Sequence, residues 1–149
     1  MIVLVTTVAV VVVVLGAWSA TRPGVASVTE AEARAYLDRI VVAARVHNFD
    51  GMCNLNGAPP NCRIMLDITG RDRLPADPPR VTQTHYESEG DTPGWLLVVE
   101  GVDGLDKPYS TEVFIFRDDE GNLKAINAVY WSGATVSDPT GPSSPSHSP

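Results

Sequence analysis

The residues of this chain that could do acid–base chemistry are few, and His47 and Asp50 are the first of them. They stand three positions apart at the end of a helical pattern, close enough to meet on one helix face. A carboxylate beside an imidazole raises its basicity and would make a proton-transferring pair. The competing reading is structural: a histidine that complements the C-terminal end of a helix dipole, followed by a turn aspartate. His85 and Tyr86 are the next candidates. As neighbours on a strand they point to opposite faces, so only one of them could line a pocket. Tyr36, Asn127 and Tyr130 are the polar handles expected to line a binding pocket among apolar residues. Asp118, Asp119 and Glu120 form an acidic run, but without the alternating spacing that a calcium loop requires. No GxSxG, HExxH, P-loop or GxGxxG pattern occurs. No catalytic residue is assigned, and no cofactor or metal is expected.

Cys53 and Cys62 are the only cysteines, and the histidines at 47, 85 and 147 are scattered. Two cysteines alone do not complete a zinc site. The alternatives are a disulfide closing a short loop, or two reduced buried thiols in a cytosolic protein. The chain's N-terminus favours the disulfide, because it implies export to an oxidising compartment. Residues 2–21 carry no charge and include the run IVLVTTVAVVVVVL. Twenty residues of helix span about 30 Å, the thickness of a bilayer's hydrocarbon core. Trp18 and Arg22 fall where an interfacial aromatic and the first charge outside the lipid belong. The segment reads as a single-pass anchor, with a cleaved signal peptide as the alternative. In both cases the rest of the chain lies on the extracytoplasmic side. The net charge of −7, from 18 acidic and 11 basic residues, argues against a nucleic-acid partner.

The elements that must position these residues can be laid out from periodicity. Residues 1–21 are the anchor, 22–27 a linker, 28–136 one folded domain and 137–149 a proline- and serine-rich tail with nothing to bury. Thr29 with Glu32 is a capping box that opens a helix predicted over 30–49. Ala33, Leu37, Ile40, Val41 and Ala44 form its buried stripe. Asp50 and Gly51 are expected to stop it and a single turn at 52–55 to come next; 61–69 fits helix or strand by pattern, and the proline before it and Gly70 after it favour a second short helix. Prolines 75, 78 and 79 impose an extended connection. From there the period becomes two, predicting strands at 80–88, 95–103, 109–118 and 123–131. The second of these is apolar on both faces and should be central. Gly121 should supply the positive φ of the last turn. If the last strand runs to 131, Trp131, Val129 and Asn127 share one face, with Tyr130, Ala128 and Ile126 on the other.

Helices followed by an antiparallel sheet make an α+β fold, with the N-terminal helix and short helices packed on a curved four-stranded sheet. The segments AYLDRIVVAARVHNFDGMCNL, NCRIML, DPPRV and STEVFIFRDDEGNLKAINAVYWSG resemble the NTF2-like (cystatin-like α+β cone) superfamily. In particular they are similar to its small exported members from high-GC bacteria, over residues 28–136. The resemblance implies a helix lying across a bent sheet with a pocket between them. It does not imply an activity, because enzymes, binding proteins and inert scaffolds share such folds. Taken together, the sequence reads as a non-enzymatic, membrane-tethered interaction module for a protein of the cell envelope. The alternatives are a cone for a small amphipathic or apolar ligand, and an isomerase- or dehydratase-type enzyme using His47 or Asp50.

Overall fold

The computed structural model describes residues 26–136. Helices α1 (Glu30–Arg45), α2 (Phe49–Asn54) and α3 (Pro59–Thr69) come first, followed by a 3-10 turn over Arg71–Arg73. Strands β1 (Arg80–Glu89), β2 (Thr92–Val102), β3 (Pro108–Arg117) and β4 (Leu123–Ile126) form one antiparallel sheet in that order. The architecture is therefore α+β. The predicted anchor and tail lie outside the described residues, as does most of the predicted linker. Among the described residues no helix is long and apolar enough to cross a membrane.

α1 opens as its capping box dictates: Thr29 Oγ1 accepts from the Glu32 N–H, and the Thr29 N–H donates back to the Glu32 carboxylate. The expected stripe of Ala33, Leu37, Ile40, Val41 and Ala44 is buried, and Tyr36 is buried with it. The helix ends four residues earlier than the periodicity predicts. His47 takes a left-handed φ of 58°, and the N–H groups of His47 and Asn48 bond back to Ala44 and Ala43. Asn48 then caps α2, its side-chain oxygen accepting from the Gly51 N–H at 2.9 Å. Asp50 and Gly51 thus lie inside a helix rather than ending one, because the Asn48 cap restarts the helix just ahead of them.

Pro59, fixed at a helical φ, starts α3, and Gly70 at φ 95° ends it. The Cys53–Cys62 disulfide ties α2 to α3. Below α3, Asp103 shapes the β2–β3 connection. Its carboxylate accepts from the Leu105 and Lys107 N–H groups, each at 2.9 Å, and from the Arg73 guanidinium at 2.6 Å.

β2 lies between β1 and β3, as its two apolar faces require. Leu97 and Val99 of β2 meet Tyr109, Thr111, Val113 and Ile115 of β3 under the helices. The opposite face carries a smaller cluster: Leu96 and Phe114 are buried, and Phe116 stacks on Phe114 with ring centroids 5.9 Å apart. Gly121 does take a positive φ, 83°, in the turn between β3 and β4. The Arg117–Glu32 ion pair at 2.6 Å fastens that turn to the start of α1.

The largest departure is β4, which stops at Ile126 rather than 131. Asn127 has φ 67°, a conformation that Asn tolerates better than most residues and that no strand continues through. Its amide nitrogen donates to Glu112 O at 2.8 Å and Ala134 O at 3.2 Å. Beyond it the chain turns inward, and Tyr130 and Trp131 are both fully buried with their rings edge to face at 5.0 Å. Consecutive residues of a strand could not both enter one core, so the expected alternation over 123–131 does not hold. The Trp131 indole donates to Gly70 O at 3.2 Å, locking this segment under the end of α3.

Candidate functional site

The disulfide-closed loop and the end of β4 build a groove together. Leu55 to Gly57 run beside β4: Gly57 N–H donates to Ala125 O at 2.7 Å and Ala125 N–H to Leu55 O at 3.0 Å. Asn56, buried in the loop, accepts from the Ala128 N–H and donates to Ala58 O. These bonds hold the start of α3 at a fixed distance from the segment after β4. Between them lies a cavity of about 410 Å³. Ala58, Cys62 and Met65 of the α3 side form one wall; Phe116, Ile126, Ala128 and Val129 form another; Ala134, Thr135 and Val136 close the third. The volume falls in the range of small-molecule sites, which are mostly apolar with a few placed polar groups.

No charged side chain lines this groove. Cys62, its only sulfur besides Met65, is held in the disulfide. The groove therefore offers no charged acid or base to a bound molecule, and Thr135 supplies the one hydroxyl in its lining. The amides of Asn56 and Asn127 reach its wall, but both are spent on backbone partners; Asn127 also accepts from Ser132 Oγ at 3.1 Å. The Asn61 side chain is exposed on the rim.

The expected site residues are dispersed. Asn127 lines the groove, but Tyr36 and Tyr130 do not. Tyr36 is buried under α1, its hydroxyl donating to Leu55 O at 2.9 Å. Burial pushes its phenol above the usual range. Tyr130 is packed between Tyr109 and Trp131, and burial pushes its phenol up to about 12. Neither phenol is a base at neutral pH. Tyr109 has a buried hydroxyl without a hydrogen-bond partner, as does Tyr130. The space between helices and sheet, where the resemblance places a pocket, is filled by such aromatic rings. The groove lies at its margin instead.

The acid–base pair considered for His47 and Asp50 is not formed. Both side chains are exposed; the His47 ring lies edge-on to Phe49 at 5.8 Å, while Asp50 pairs with Arg63 at 3.5 Å. The left-handed turn leaves His47 between the two helices, while the Asn48 cap places Asp50 in the first turn of α2. His85 is exposed on β1 with a ring nitrogen 3.2 Å from Gln83 Oε1, and Tyr86 packs its edge against Trp95. Asp118 spends its carboxylate on the N–H groups of Glu120 and Asn122, which shapes the hairpin turn. Among the described residues no group of three His, Cys, Asp or Glu is placed to hold a metal.

A second cleft, of about 670 Å³, opens at the far end of the sheet around the exposed Arg80–Glu100 ion pair. Its walls are strand ends and the connection before β1, so it lacks the bracing that the disulfide supplies to the groove. Met65, Phe116 and Val136 were not legible as site residues. They are ordinary apolar positions far apart in the chain, and long-range bonds bring their elements together: the parallel bridge between Asn56 and Ala125, and the bonds of Asn127 to Ala134 O and of the Val136 N–H to Glu112. Comparison of the chain with known protein families, curated proteins and solved structures finds no match.

Proposed function

We propose that this chain is a non-enzymatic binding module of the extracytoplasmic side, tethered by its N-terminal segment, whose groove takes a small amphipathic or apolar molecule. The observation that carries the reading is the braced, uncharged groove of about 410 Å³ between α3 and the chain after β4. Apolar walls exclude water and favour hydrocarbon, while a rim amide such as that of Asn61 orients a polar end. The Cys53–Cys62 disulfide supports an oxidising compartment, and the α+β arrangement is compatible with the NTF2-like resemblance.

The test is titration of the full chain with an environment-sensitive amphiphilic fluorophore, beside variants that fill the groove from its rim. Thr135→Trp and Asn61→Trp replace exposed residues, so they should abolish the fluorescence gain while leaving the melting temperature unchanged. Equal binding by wild type and both variants would reject the groove as the site. A reporter fused after residue 149 should be active outside the cytoplasm; activity only in the cytosol removes the tether and compartment.

A protein partner of the cell envelope is the second reading. Val42 on α1 with Val46 at its C-cap, and Ile64 with Ile68 on α3, stand at four-residue spacing with more than half of each surface exposed. Val46→Asp and Ile68→Asp should release such a partner without touching the groove.

A further inference from the structure

The two edges of the sheet are finished differently. β4 is covered by the bridge between Asn56 and Ala125. β1 is the outer strand at the other end, ten residues long, and among the described residues nothing pairs with its outer backbone groups. Long uncovered edges are usually blunted by proline, lysine or a bulge, because their free N–H and C=O groups recruit another strand. β1 contains no proline and no lysine. Its only irregularity is a register shift between Val81 and Gln83, near its start.

We infer that β1 pairs antiparallel with β1 of a second copy of this chain, across a two-fold axis at Tyr86. The register is set by the hairpin. Ser88 lies opposite Pro93, which has no N–H to give, so the inward bonds of β1 are made by its odd-numbered residues. Thr84, Tyr86 and Ser88 therefore point their N–H and C=O groups outward. Antiparallel pairing between two such strands must match even with even. Three centres leave the irregular start of the strand aside: His85, Tyr86 and Glu87. A centre at His85 sets two histidines face to face, and one at Glu87 sets two carboxylates face to face. A centre at Tyr86 places each His85 opposite Glu87 of the other copy, in the closely spaced non-hydrogen-bonded positions, where the imidazole can donate a hydrogen bond to the carboxylate. It also joins the two half-exposed Tyr86 rings, each of which packs edge to face on Trp95 within its own chain. The outcome is one continuous eight-stranded sheet.

Oxidative cross-linking of single-cysteine substitutions in the full chain tests both the pairing and the register. Tyr86→Cys faces its own symmetry mate at about 5.5 Å between Cα atoms, within disulfide reach. It should give a covalent dimer on a non-reducing gel. Thr84→Cys and Ser88→Cys should cross-link only when the two are mixed, because each faces the other. Glu87→Arg should weaken the dimer about tenfold by light scattering, and the further change His85→Glu should restore it. A monomer at all concentrations, or equal self-cross-linking of Thr84→Cys and Tyr86→Cys, overturns the inference. Cross-linking of Tyr86→Cys to a different protein in membranes overturns it as well. Circular dichroism of each variant separates a lost interface from a lost fold; these surface changes should leave it unaltered.

Discussion

Reducing the Cys53–Cys62 bridge should lower the melting temperature by about 10 °C without unfolding the domain at 25 °C. The bridge closes a loop of sequence separation 9. On the chain-entropy relation, a loop of that size withholds about 2.6 kcal/mol of freedom from the unfolded chain. A domain slightly above 100 residues moves by about 4 °C per kcal/mol, which sets the shift. Little else should change in the folded state. Both cysteines are buried against Met52 and Leu66, and reduced thiols are content in apolar surroundings. The loop also keeps its bonds to Ala125, so the groove should persist when reduced at low temperature. The assay is a circular-dichroism melt with and without reductant, with thiol titration proving that two thiols are free. Unchanged melting with both thiols titrated would refute the reasoning. So would complete unfolding at 25 °C.

Four further outcomes rest on particular residues. Asn127→Ala should destabilise more than Asn127→Gly: both lose the bonds to Glu112 and Ala134, but only alanine must also adopt φ 67°. Tyr36→Phe should cost about 1 kcal/mol in chemical denaturation, since it removes one of the two donors to Leu55 O and leaves only the Ala125 N–H. Gly94→Ala should be severely destabilising by thermal melt, because a methyl there meets the Ile115 carbonyl and comes within 2.7 Å of the Phe114 ring. Burial acts to raise the Asp103 carboxyl, but its bonds from the Lys107 and Leu105 N–H groups and from Arg73 outweigh burial and hold it below the usual range. A depressed carboxyl stabilises the fold above its unfolded pKa near 4, and that stability is lost as pH falls through the lower folded value. Asp103→Asn should therefore lower the melting temperature at neutral pH and flatten its fall below pH 4.

Local chemistry made much of this molecule legible. The capping box of Thr29 and Glu32, the stripe from Ala33 to Ala44, the proline-bounded α3 and the doubly apolar β2 each arise from neighbours a few residues away. The cysteine pairing was legible because only two cysteines exist and the apolar N-terminal segment pointed to an oxidising compartment. Two departures share a cause. His47 and Asn127 each adopt a left-handed conformation that their types permit but do not demand. At His47 that ends α1 and parts the histidine from Asp50; at Asn127 it ends β4 and sends Tyr130 and Trp131 into one core.

The chain alone therefore determined the succession of elements and the covalent bridge, since hydrogen-bond caps, periodicity and a lone cysteine pair act over short distances. Tertiary structure decided where the groove lies. Its walls come from α3, β3, β4 and the segment ending at Val136, and they face one another only after Asn56 has bonded to Ala128 across 72 positions of sequence. Contacts of that span depend on how the elements pack, and no local pattern of residues encodes them.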